Sequence, residues 1–181
     1  MESLKGKLVI AAPALIDPNF ARTVVLVIDH DEHGAMGLVL NRVAEAELAE
    51  AVPDLADVPE VDDRLFVGGP VQETSVLLLG DFSDTGRASP LVAGSIGMVG
   101  ADTDLEELSG AVTRARAFAG YAGWGAGQLE AELEEEAWIM ADPVPEELLT
   151  DAPDALWSRT LDRKGGWHRV LARMPPDPSL N

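Results

Sequence analysis

Apolar positions along the first hundred residues come in short, dense runs rather than at helical spacing. Lys7-Leu8-Val9-Ile10-Ala11 is one such run, stopped by Pro13. Thr23-Val24-Val25-Leu26-Val27-Ile28 is a second, rich in β-branched residues and long enough for a strand buried on both faces. Met36-Gly37-Leu38-Val39-Leu40 follows after the polar turn Asp29 to Gly34, and two apolar runs joined by such a turn predict a hairpin. Further strands are expected at 65–67, 75–79 and 95–99, with a short helix at 44–52 ended by Pro53 and an exposed loop over the rest of 44–63. Thr103 with Glu106 reads as a capping box, and Leu105, Leu108, Val112, Ala115 and Ala119 recur at helical spacing behind it. The end of that pattern is ambiguous, because Arg116 to Tyr121 also reads as a strand. A helix over 126–136, a strand at 138–140 and helices at 146–149 and 154–161 complete the pattern. Strands first and helices later indicate an α+β chain with mixed or antiparallel pairing.

Composition narrows the function classes. The 181 residues include 32 acidic and 13 basic side chains, a net charge of -19, which repels phosphate backbones and anionic membrane surfaces. Nucleic acid is therefore a poor partner, and a basic or metal-bearing one a better match. There is no cysteine, so disulfides, thiolate metal sites and a cysteine nucleophile are excluded. The N-terminus has no signal-peptide pattern, and no apolar run approaches the ~20 residues that cross a bilayer. The expected location is the cytoplasm, with no membrane association.

Four motifs carry candidate chemistry. Asp29-His30-Asp31-Glu32-His33-Gly34 half-matches a calcium loop, but position twelve is Leu40, and an exposed hairpin turn is the simpler reading. Ala93-Gly94-Ser95-Ile96-Gly97 is one residue short of a nucleophile elbow, and a strand rather than a helix is expected after the serine. Gly123-Trp124-Gly125-Ala126-Gly127 leads into the 126–136 helix, where Glu130, Glu132, Glu134, Glu135 and Glu136 crowd against the helix dipole. Arg159, Arg163, Lys164, Arg169 and Arg173, near Trp157 and Trp167, form the only basic concentration, an alternative site for weak DNA binding. If strands 23–28 and 36–41 pair, Arg22 and Asn41 meet at one sheet end, and Asp17 is the nearest carboxylate for a buried arginine.

The blocks Leu4-x-Gly6-x-Leu8, Ala12-Pro13-x-Leu15-x-Asp17-Pro18-x-Phe20-x-Arg22 and Gly34-Ala35-x-Gly37-Leu38-Val39-Leu40-Asn41-Arg42 resemble the AlgH/YqgE family of uncharacterised bacterial proteins. Gly68-Gly69-Pro70-Val71, Gly120-Tyr121-Ala122-Gly123-Trp124, Gly127-Gln128-Leu129-Glu130-x-Glu132 and Trp138 continue the resemblance in order. It implies one domain over 1–174 with a frayed tail at 175–181. It implies a bent, mostly antiparallel, bifurcated sheet curled into a pseudo-barrel with helices outside, and so makes 116–124 at least partly strand. It brings a regulator label but no catalytic residue, no cofactor and no metal. The leading expectation is a regulatory or protein-interaction module. The alternative is an enzyme or small-ligand binder whose pocket is rimmed by Asp17, Arg22, Asn41, Arg42, Gly69, Trp124, Gln128 and Glu130. The partner and the oligomeric state are not legible.

Overall fold

A strand of 14 residues late in the chain organises everything before it. The computed structural model describes residues 2–176. In chain order they form β1 (Leu8–Ala11), β2 (Val24–Asp31), β3 (Gly34–Val39), β4 (Val43–Glu47), α1 (Leu48–Ala51), α2 (Pro53–Ala56), β5 (Val61–Val67) and β6 (Val71–Phe82). Then come β7 (Leu91–Ala93), β8 (Ile96–Met98), α3 (Leu105–Ala111), β9 (Val112–Gly125), α4 (Gln128–Glu134), β10 (Trp138–Ala141), α5 (Pro145–Leu148), α6 (Pro153–Lys164) and α7 (His168–Leu171). Of the tail expected at 175–181, everything from residue 177 on lies outside the described residues.

The sheet runs β10-β1-β2-β3-β9-β6-β8-β7, and its two ends do not pair. On one side β9 pairs antiparallel with β6 along most of its length. On the other side its first half pairs in parallel with β5 and its last residues, Ala122 to Gly125, pair antiparallel with β3. The sheet therefore forks at β9. The expected hairpin forms, with Leu26 opposite Leu38.

Alternation along the strands feeds three apolar clusters. Leu8, Ile10, Val24, Leu26 and Ile28 face a central cluster that also takes in Phe66, Phe118, Leu156 and Trp157. Val9, Ala11, Val25 and Val27 face a second, with Trp124, Leu129 and Trp138. Ala115 and Ala117 face a third, with Leu48, Leu55 and Leu108. Strands buried on both faces explain why the apolar runs are continuous rather than alternating. Helix α6 closes over the central cluster, and its Trp157 Nε1 donates to the Ala11 carbonyl at 2.8 Å.

Three expectations need correction. The helix opening near Thr103 stops at Ala111, and Asp104 rather than Thr103 caps it, accepting from the Glu107 N–H at 2.8 Å. Beyond Ala111 the alanine-rich run is a central strand, because neighbours on both sides satisfy its backbone and override weak helix propensity. Residues 44–52 are a strand followed by one helical turn, not a single helix. The expected loop beyond is folded onto the sheet, since Leu48, Leu55, Val58 and Val61 are buried and anchor it.

Candidate functional site

The polar block before β2 is built from its own turn. Asp17 Oδ1 accepts from the Asn19 N–H at 2.8 Å, and the Asp17 carbonyl accepts from Phe20 and Ala21. Asn41 ties the two strands of the hairpin together. Its Oδ1 accepts from the Val24 N–H at 3.0 Å and its Nδ2 donates to the Arg22 carbonyl at 2.9 Å. Arg42 donates to the carbonyls of Asn19 and Ala21, at 2.5 and 3.0 Å. Burial lowers the Arg42 pKa, and the charge of Asp17 opposes that shift. The expected meeting of Arg22 and Asn41 is thus present, but Asp17 is not the partner of Arg22. That guanidinium stacks 4.3 Å from the Trp157 ring centre and donates to the Met174 carbonyl at 2.6 Å. Replacing Asn41 by alanine strands a buried N–H and a carbonyl at once. A loss of about 2 kcal/mol in unfolding free energy is expected, read from the urea midpoint.

At the opposite end of the hairpin, Trp124 sits across from Ala35. Gly127, with φ of 72°, turns the chain into α4. Glu132 Oε2 then accepts from Trp124 Nε1 at 3.0 Å and from Trp138 Nε1 at 2.8 Å, while Oε1 accepts from Gln128 Nε2 at 3.0 Å. Phe20 stacks on Trp124 and meets Trp138 edge-on. Two residues before Glu132, Glu130 Oε1 lies 2.5 Å from His30 Nε2. His30 Nδ1 accepts from the Leu4 N–H at 2.9 Å, so the ring proton sits on Nε2 and is donated to Glu130. The backbone N–H of Glu130 and then the His30 ring hold the Glu130 carboxyl below its ordinary value.

His30 is a correction to the reading of 29–34 as an exposed turn: it is buried, while Asp31, Glu32 and His33 face solvent. A register shift in β2 between Val27 and Asp29 sets His30 opposite Ala35, on the face of Val25 and Val27, and plain alternation along the sequence does not show it. Among the described residues no three His, Asp or Glu side chains gather at a metal-binding spacing.

The eight candidate positions fall into two groups. Arg42 and Gly69 share a cleft of about 30 Å³, room for one water. Gly69, at φ of 154°, crosses so close to β9 that a Cβ there would sit 2.2 Å from Tyr121 backbone atoms. Trp124 lines a separate cleft of about 240 Å³ with Asp29, Asp31 and His33. Gln128 and Glu130 are held by the α4 contacts just described.

Ser95 Oγ donates to Asp81 Oδ1 at 2.6 Å from the turn between β7 and β8, with a strand after it, so the elbow geometry is absent there. Within the C-terminal basic concentration, Arg163 forks onto Glu147 at 2.8 and 2.9 Å, Lys164 donates to the Met140 carbonyl, and Arg173 to the Arg169 carbonyl.

Two features have no counterpart among the sequence motifs. The first is a buried charge cluster. Arg116, with its side chain 1 % exposed, donates to Asp62 Oδ2 at 2.7 Å and lies 4.2 Å from the Phe66 ring centre. Arg64 also holds Asp62, and Arg114 reaches both Asp62 and Asp151. Burial pushes the Asp62 carboxyl up, but the hydrogen bonds from Arg64 and Arg116 outweigh it and hold it well below the usual range. The exposed loop expected over 53–63 hides this cluster from the sequence. The second is a groove of about 620 Å³ lined mainly by apolar side chains, among them Ile28, Met36, Leu55, Leu77, Met98 and Leu108.

Residues 8–169 match the profile of a family described as AlgH-like. A UPF0301 protein of Streptomyces coelicolor is 43 % identical over 187 residues, covering 100 % of this chain and 97 % of its own. A crystal structure of a Corynebacterium diphtheriae protein superposes with a TM-score of 0.85 at 28 % identity, covering 95 % of this chain and 92 % of its own. The solution structure of the AlgH protein of Pseudomonas aeruginosa does so with a TM-score of 0.71 at 32 % identity, covering 96 % and 95 %.

Proposed function

The chain belongs to the AlgH-like family, and from that premise we propose that it is a cytoplasmic regulatory or protein-interaction module that meets a basic partner through an acidic surface. The observation that supports this is where the charges go. Arg42, Arg64, Arg116, Arg163 and Lys164 are all committed to acceptors within the chain. Acids stay outward: Glu45, Glu47, Glu50, Asp54 and Asp57 are exposed from β4 to the end of α2, as are Glu134, Glu135 and Glu136 at the end of α4. The net charge of -19 is thus carried largely by carboxylates that face outward, and such a field steers basic partners and repels polyphosphates. The pocket reading has less support, since most of its eight side chains already serve local hydrogen bonds. DNA binding is disfavoured because much of the C-terminal basic concentration is tied to acceptors.

Pull-down with the tagged full chain at graded ionic strength, followed by mass spectrometry, tests the proposal. Expected is a basic protein partner, recovered at low salt and lost as ionic strength shortens the screening length. The variant carrying Glu134→Gln, Glu135→Gln and Glu136→Gln is expected to associate several-fold more slowly. A chain that stays uncomplexed at every salt concentration, or a mobility shift with duplex DNA at low salt, contradicts it.

A further inference from the structure

Strand β6 has a neighbour along most of its length on one side only. On the other side, β8 pairs with it from Leu79 to Asp81 and no further. The last tie is the Val99 N–H to the Leu78 carbonyl at 3.0 Å, after which the chain turns away through Gly100. Phe82 donates in the same direction, to the Ser95 carbonyl. Alternation therefore aims the backbone of Val76 to this side as well, where no strand among the described residues lies beside it. This is the place where the 620 Å³ groove sits, lined by Val76, Leu77 and Leu78.

The groove straddles both faces of the sheet. Ile28, Leu77 and Met98 belong to the central cluster, whereas Leu55, Val76, Leu78 and Leu108 belong to the cluster under α3. A segment laid along β6 would bury side chains on both faces. Its apolar residues would be consecutive rather than alternate. The segment would also be short, because β6 is bulged between Val71 and Val76, with Gln72 at φ of 47°. A bulge bends the edge away and limits pairing to the few residues beside Val76 and Leu78.

Charge selects the occupant. Asp29 lines the groove, and Asp102, Asp104, Glu106 and Glu107 are exposed along its α3 side, against the one lining cation, Lys5. A second copy of a chain with net charge -19 would bring the same sign. We propose that the uncovered edge of β6 docks a short extended segment of a partner protein, apolar at its centre and basic at its ends, added as an extra strand. This rests on the interaction reading and names its surface.

The probe is a labelled octapeptide with four central Val and Ile residues between pairs of lysines, titrated into the full chain by fluorescence anisotropy. Expected is binding that weakens about tenfold or more when alternate central amides are N-methylated, because added-strand hydrogen bonds are then lost. Replacing the flanking lysines by glutamate is expected to weaken it similarly. So is Leu105→Lys, which puts a charge of the peptide's own sign on a half-exposed groove residue. The N-methyl comparison uses the unaltered protein, so it decides even if the variant folds poorly. No binding up to millimolar peptide, or binding indifferent to N-methylation, overturns the proposal. A cellular partner captured equally by wild type and Leu105→Lys overturns this docking site while leaving the interaction reading standing. Absence of any partner counts against the interaction reading itself.

Discussion

Replacing Asp62 by alanine is expected to lower the unfolding free energy by about 3–5 kcal/mol, because it leaves the Arg116 guanidinium buried without its counter-charge. Arg64 and Arg114 lose a partner in the same step, but both are more exposed and contribute less. Urea denaturation at neutral pH measures the loss. Replacing the pair together, Asp62→Leu with Arg116→Met, is expected to recover most of it, since an apolar pair of similar volume avoids both desolvation penalties. The pH dependence has a definite sign. The Asp62 carboxyl is held below its unfolded value, so the unfolded chain takes up the proton first as pH falls. The contribution is complete above the unfolded value near pH 4 and is lost in more acidic solution. Wild type and Asp62→Ala should therefore differ most at pH 7 and converge toward pH 2. A constant gap between them would contradict the ion-pair account and favour simple loss of packing.

The second large effect is expected at Glu132. Its carboxylate is the acceptor for two indole N–H groups, on Trp124 and Trp138, and for the Gln128 amide. Both indoles are buried, so Glu132→Ala leaves two donors without water or protein to accept from them. A loss of about 3 kcal/mol is expected, with Glu132→Gln recovering part of it through the remaining carbonyl oxygen. Tryptophan fluorescence supplies a second readout. The Phe20–Trp124–Trp138 stack should loosen in the alanine variant, shifting emission to the red even where the chain remains folded.

These two sites differ in how readable they were. Trp124, Gln128 and Glu132 lie within nine residues of one another, and a glycine-rich turn entering a helix marks the place in the sequence. What the pattern does not show is that the glutamates of α4 divide. Glu130 and Glu132 are tied to buried donors, and Glu134 to Glu136 face solvent. Asp62 was unreadable for a different reason. Its partner Arg116 stands 54 positions away, in a run whose alanines fit a helix as well as a strand. Only pairing of β9 with both β5 and β6 decides between them, and that pairing is a long-range event. The runs in β1, β2, β3 and β10 were legible because β-branched residues and turn signals agree there. The groove beside β6 could not be read at all, because an uncovered edge is a property of where β8 stops.

Because β9 belongs to both branches of the sheet, synthesis on the ribosome meets a particular hazard. β3, β5 and β6 emerge first, and each must wait for residues 112–125 before its missing neighbour exists. During that interval their apolar faces and open edges are presented to whatever is nearby. A nascent chain of this design depends on chaperone cover, or on the repulsion among its many carboxylates, to keep copies on neighbouring ribosomes apart.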